Sequence, residues 1–191
     1  MSVVNVISDV AHSYSTLFQC FFSWKVRTSS DAAMRGAQVI LAQSFGLAGD
    51  GIPGGASNEA MAKIVRELHR QYELPMVLQW EIADCLIDLP MVGVVREHRK
   101  FGKYLDTREV LVQSFLVCKK QGWTRVIVVA HPDHIWRVKK VAEKLGLDVF
   151  IPDTSSVPYD PHSIQSWTRN KIRFIPREIA ARLLYFIKDW L

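Results

Sequence analysis

Apolar residues in this chain recur with two different periods. From residue 3 to 24 there is neither glycine nor proline. Val3, Ile7, Val10, Tyr14, Leu17 and Phe21 return at alternating steps of four and three, with Val4, Ala11, Phe18 and Phe22 beside them. That spacing predicts an amphipathic helix over residues 1–26. No lysine or arginine precedes Lys25, whereas a helix lying on a membrane surface normally carries cations on its polar face. The Phe18–Phe22 face is therefore expected to pack on protein, either on the rest of the chain or on a second copy in a homodimer.

Past a polar break at Thr28–Asp31 the pattern shortens. Val39–Ala42, Pro75–Trp80, Met91–Val95, Arg125–Ala130 and Asp148–Ile151 are brief apolar runs of the kind found in buried strands. Helical periods lie between them. Ser57 is placed to cap a helix that buries Met61, Ile64, Val65, Leu68 and Tyr72. A second helix, Thr107–Lys120, is apolar almost all round, and a third, His134–Leu145, is ended by Gly146. A last helix from Pro176 sets Ile179, Leu183, Ile187 and Trp190 on one face. Strands alternating with helices predict an α/β protein with a mostly parallel sheet of about five strands. No repeat, low-complexity tract or linker divides the chain, so residues 1–191 are expected to form a single domain.

Composition narrows the class. A chain of 191 residues with 49% hydrophobic and 23% charged residues can bury a full core without staples. A net charge of +5 favours anionic ligands. Without an RNP, finger or basic-helix signature, it does not suggest a nucleic-acid partner. The three cysteines, Cys20, Cys85 and Cys118, form no CxxC pair, so neither a disulfide framework nor a structural zinc is expected. No apolar stretch approaches the about 20 residues of a membrane span, and no basic n-region opens the chain. A cytoplasmic location follows as the expectation.

In a parallel sheet, ligands bind outside the carboxyl ends of the strands. Those ends collect Gln43, Ser44, Glu81, Glu97, His98, His131, Asp133 and Asp153. The Gly49–Gly54 segment spells GxGxxG but lies several residues past its strand, with Pro53 delaying the helix, so it fits a ligand-covering loop better than a dinucleotide fingerprint. In Ala130-His131-Pro132-Asp133-His134-Ile135-Trp136-Arg137, His131 ends the most apolar strand and is an acid–base candidate. Asp133 can cap the following helix. His134 and Arg137, three apart, share a helix face where Arg137 could clamp an anion. His-Pro-Asp-His is not a helical i, i+4 ligand pair, so no metal is expected. Asp106 or Thr107 caps the Thr107 helix and Glu109 sits in its first turn, which capping alone explains. Gln165–Asn170, with Trp167 and Arg169, lies in a stretch that also holds Lys171, Arg173 and Arg177, and clustered cations beside an indole suit a phosphate or an adenine-like ring.

Taken in order, these motifs resemble the YdcF-like family. The similar points are the first strand with its Gly-rich loop, Gly55-Ala56-Ser57-Asn58-Glu59-Ala60 entering a helix, and Glu97 followed by Thr107-x-Glu109. A further point is strand Val126–Ala130 followed by His134-x-x-Arg137. The likeness spans residues 36–178. The chain differs where the family carries Ser-Gly-Gly after the second strand, having Gln79-Trp80-Glu81, and has Val110 in place of an asparagine. The resemblance implies a three-layer Rossmann-like fold and binding of S-adenosylmethionine or another nucleotide, without a settled reaction.

The expected site takes a small nucleotide-like or phosphorylated ligand. His131 and Glu97 are its catalytic candidates, and Ser44, Gly46, Ser57, Asn58, Glu81, Thr107, Glu109, His134, Arg137 and Arg169 its binding residues. A hydrolase or transferase would use such a site. The alternative is a non-catalytic interaction protein of cell-envelope homeostasis whose N-terminal helix makes the important contact.

Overall fold

A computed structural model describes residues 15–49 and 54–191. The strands are β1 (Val39–Ala42), β2 (Met76–Gln79), β3 (Gly93–Val95), β4 (Arg125–Val129) and β5 (Asp148–Phe150). They form one sheet in the order β3-β2-β1-β4-β5, with every neighbouring pair parallel. The fold is therefore α/β and Rossmann-like, and the expected sheet is wholly parallel. Helical residues 15–22 (α1) and α2 (Asp31–Met34) precede the sheet, while α3 (Gly55–Tyr72), α4 (Trp80–Ala83), α5 (Thr107–Gln121) and α6 (Ile135–Lys144) connect its strands. The chain ends on α7 (Lys171–Ile187).

The central strands read as continuous apolar runs because both faces are covered. On one face Ile40, Leu78 and Ile127 pack with Met61 and Val65 of α3. On the other, Leu41, Val77 and Val128 pack with Leu111 of α5 and Val138 of α6. The chain runs outward from β1 to β2 and β3, then returns to place β4 on the other side of β1. That reversal opens a crevice between the carboxyl ends of β1 and β4, where such sheets hold ligands.

Several expectations change in the structure. α3 starts at Gly55 with Gly54 as its cap, and the Ser57 hydroxyl instead donates to Pro158 O at 2.7 Å. Asp133 does not cap α6; its carboxylate accepts from Tyr159 Oη at 2.6 Å. Trp80 leaves β2 to begin α4. Much of the predicted N-terminal helix, and residues 50–53 of the GxGxxG segment, lie outside the described residues. In α1, Thr16 and Cys20 face inward, whereas Phe18 and Phe22 are 63% and 67% exposed. Their rings stack on each other at 4.5 Å rather than on the body of the chain. No disulfide joins Cys20, Cys85 or Cys118 among the described residues.

The largest difference lies in α7. It begins five residues before Pro176, capped by Asn170, whose side chain accepts the Arg173 N–H at 3.0 Å. Its buried stripe is Phe174, Glu178, Arg182 and Tyr185 rather than the apolar face read from the sequence. Glu178 and Arg182 are both wholly buried. Glu178 accepts from Arg182 Nε at 3.0 Å and from Arg137 Nη2 at 2.7 Å. Arg182 also donates to Ser23 O at 2.8 Å and lies between the rings of Trp24 and Trp136, at 4.2 and 4.5 Å. One arginine thus fastens the segment after α1 to α7 and α6.

Removing one partner of a buried ion pair strands the other charge, which typically costs about 3–5 kcal/mol. Arg182→Ala is expected to destabilise the protein by about that amount in chemical denaturation. A loss below about 1 kcal/mol, the range of an exposed pair, would mean that the cluster does not hold the helices together.

Candidate functional site

At the carboxyl edge of the sheet, a cavity of about 570 Å³ lies under α7. Each wall comes from a different element. The ends of β1 and β2 supply Gln43, Ser44, Gln79 and Glu81, and the approach to α5 supplies Tyr104 and Thr107. α6 adds His134 and Arg137, while Trp167, Arg177 and Tyr185 close the far side. Gly46, at φ +83°, turns the loop after β1 against the loop before α7. A Cβ there would lie 2.7 Å from Thr168 Oγ1, so only glycine suits both the dihedral and the space.

The polar residues of this cavity fall into two groups. Those near α6 are already paired. Arg137 Nη1 donates to Thr107 Oγ1 at 2.8 Å, while its Nε and Nη2 engage Glu178. His134 lies 3.3 Å from both Glu178 Oε2 and Thr107 Oγ1. All three groups are satisfied when His134 donates from Nδ1 to Glu178 and accepts the Thr107 hydroxyl at Nε2. Burial and the Arg137 charge hold His134 below its usual pKa and keep it neutral. For Glu178 burial opposes ionisation, but Arg137 and His134 outweigh it and keep the carboxyl well below the usual range. With two guanidinium groups and one carboxylate, the cluster retains one uncompensated positive charge. Arg137, 9% exposed, is thus a buried structural partner rather than the partly exposed anion clamp expected.

The second group, at the ends of β1 and β2, is incompletely paired. Gln79 accepts from the Ser44 N–H at 3.1 Å and donates to Glu81 Oε1 at 3.4 Å. Glu81 is 6% exposed, and among the described residues its Oε2 has no partner. Gln43 is 5% exposed, and its Oε1 is likewise unpaired among them. Burial pushes the Glu81 carboxyl up to about 7, against hydrogen bonds from its own backbone, Ser44 and Gln79. A carboxyl with that pKa, on a ligand cavity, is poised to give or take a proton.

Other expected residues sit elsewhere. His131 is 1% exposed, stacks on Phe45 at 3.8 Å and does not line the cavity. It accepts the Asp133 N–H at Nδ1, which leaves the proton on an unpaired Nε2, and burial lowers its pKa to about 3. A sealed, neutral ring does not exchange protons with a ligand in this cavity. Glu97 is exposed and outside it. Asn58 holds the loop after β1 by accepting from Phe45 N at 2.8 Å and donating to Gly54 O at 2.5 Å. Arg169 donates to Ser163 O at 2.6 Å. Glu109 is bound by Arg99, which lowers its carboxyl to about 2. Of the expected residues, Ser44, Gly46, Glu81, Thr107, His134 and Arg137 meet around the cavity.

Of the mouth, Trp167 and the neighbouring Arg177 were expected from the sequence, whereas Arg108, Lys188 and Trp190 were not. Arg177 lies over the Trp167 ring at 4.1 Å and Lys188 over Trp190 at 4.6 Å. Arg108 covers Trp190 as well, at 4.7 Å, and with Lys100, Lys103 and Lys188 lines an adjoining hollow of about 600 Å³. The sequence signal for the buried cluster was the i, i+4 pair Glu178–Arg182 inside an otherwise apolar helical period.

A carboxyl whose folded pKa lies above its unfolded value of 4.5 binds more protons when folded, so its cost to stability grows as pH rises from 4.5 to about 7. Wild type is expected to lose on the order of 3 kcal/mol between pH 5 and pH 8 relative to Glu81→Gln. Denaturation curves for the two proteins that run parallel across that range would show that Glu81 titrates normally.

Comparison of the chain with protein-family models, with curated proteins and with solved structures finds no match.

Proposed function

We propose that the chain binds a small anionic, ring-bearing molecule of nucleotide or phosphorylated type in the cavity under α7, and that Glu81 transfers a proton there. The observation that carries this reading is Glu81 itself: a buried carboxyl on the cavity, with a free oxygen and a pKa of about 7. Burying it without a complete set of partners costs stability that a core position would not require. Such costs recur where a group must react.

The anionic part of the ligand is assigned to the mouth. Arg177 and Lys188 are exposed and have no carboxylate within salt-bridge distance among the described residues. The uncompensated charge of the Arg137–Glu178–Arg182 cluster adds to their field. Trp80, Tyr104 and Phe174 line the same cavity and offer aromatic surface to a ring. A hydrolase or transferase acting on a phosphorylated compound would use these parts, with Glu81 as general acid or base. S-adenosylmethionine, which the sequence resemblance brings in, is one ring-bearing ligand to test.

A second reading rests on Phe18 and Phe22, whose stacked, exposed rings form an apolar patch on α1. It makes the chain an interaction protein whose partner covers α1, a second copy included. In the described residues no helix is long and apolar enough to cross a membrane.

Titration calorimetry with adenosine monophosphate, S-adenosylmethionine and inorganic phosphate separates the readings. The cavity reading expects at least one to bind wild type, with Arg177→Ala weakening a phosphate-bearing ligand about tenfold, as losing a charged hydrogen bond does. Binding unaffected by Arg177→Ala, or no binding together with a dimer lost in Phe18→Ser, would favour the interaction protein.

A further inference from the structure

The cavity floor has a feature that an anion at the mouth does not use. Gln43 follows β1 and Glu81 follows β2, and these strands are paired in register with Ala42 beside Leu78. Gln43 is the residue after β1 and Glu81 the second residue of α4, so both side chains reach the cavity from the carboxyl ends of adjacent strands. Each carries one oxygen that is closed off from solvent and has no hydrogen-bond partner among the described residues. Ser44 and Gln79 serve Glu81 without reaching that oxygen. The Gln79 amide is divided between Ser44 N–H and Glu81 Oε1, and the α6 donors are committed to Glu178 and Thr107.

Buried acceptors left unpaired are rare in folded proteins, and each is costly. Two on one cavity floor point to a ligand that brings donors. The last torsion of a carboxyl or carboxamide is broad, so a small turn presents each oxygen to the cavity. Sugar hydroxyls would need donors and acceptors arranged around each carbon. Here the cavity is lined by the aromatic side chains of Trp80, Tyr104 and Phe174. Aromatic walls together with two acceptors match a planar ring with N–H groups at its edge.

We infer that the cavity floor recognises an amino-substituted heteroaromatic ring, whose N–H groups donate to Gln43 Oε1 and Glu81 Oε2. This rests on the cavity reading above and specifies the ligand: an aminopurine or aminopyrimidine nucleotide, ring inward and phosphate at Arg177 and Lys188. An N–H donor prefers the carboxylate form of Glu81, so binding at pH 6 releases a proton to the buffer.

The test is titration calorimetry with adenosine, guanosine and cytidine monophosphates against purine riboside 5′-monophosphate, which lacks the exocyclic amine, and ribose 5-phosphate. At least one amino nucleotide should bind wild type about tenfold more tightly than both controls, the effect of one or two hydrogen bonds. In Gln43→Met and Glu81→Met that preference should fall below about threefold. Glu81→Gln is near in shape and keeps the fold testable. It should lose the proton release seen when wild type is titrated at pH 6 in buffers of different ionisation heat. If the controls bind as tightly as every amino nucleotide while Arg177→Ala still weakens them, ring recognition is wrong and the anion site stands. If no compound of the set binds, both are wrong. A preference that survives in all three variants places recognition elsewhere.

Discussion

Glu178 sits between two arginines that come from different parts of the fold, and the ligand edge is organised around that contact. Arg137 reaches it from α6 and Arg182 from one turn along α7. Neither arginine could remain buried alone, because an unpaired charge in the interior costs several kcal/mol or more. The contact therefore fixes α7 to α6 beside the cavity at the carboxyl edge of the sheet. It also places Tyr185 against Arg137 and carries α1 with it through Ser23 and the Trp24 ring.

The same contact divides the polar residues by task. Thr107, His134 and Arg137 look like a binding site in the sequence, but their hydrogen-bonding capacity is spent on Glu178 and on one another. Their contribution to a ligand is long-range, through the charge the cluster leaves uncompensated. Direct contact falls to groups that the cluster does not reach: Gln43, Ser44 and Glu81 inside, and Arg177 and Lys188 at the mouth. Glu81 and Glu178 show how far environment separates two buried carboxyls. With two guanidinium partners one stays ionised, and with only neutral hydrogen bonds the other rises to about 7.

Much of the fold was legible in the sequence, because Val39–Ala42 and Val126–Ala130 can bury both faces only inside a parallel sheet. Ser44, Glu81 and Thr107 could be placed at the ligand edge because they follow strands or open a helix there. The paired state of Arg137 could not be read, since its partner lies 41 positions away on an element whose period looked apolar. Ile179, Leu183 and Ile187 do recur helically, yet α7 turns Glu178 and Arg182 inward because a buried arginine was waiting on α6. His131 misled for a related reason. Its place at the end of β4 is that of a catalytic residue, but Phe45 and Tyr159 cover the ring. Covering by side chains distant in sequence leaves no local trace.

The central claim is that the two buried glutamates hold opposite protonation behaviour, one committed to the fold and one free for a ligand. Carbon-13 NMR of the side-chain carboxyls across a pH titration tests it directly, with Glu81→Gln and Glu178→Gln giving the assignments. The account predicts a Glu81 midpoint near 7 and a Glu178 signal that stays in its ionised position throughout the pH range where the protein is folded. A Glu81 midpoint near 4.5, or a Glu178 carboxyl that titrates there, would contradict it.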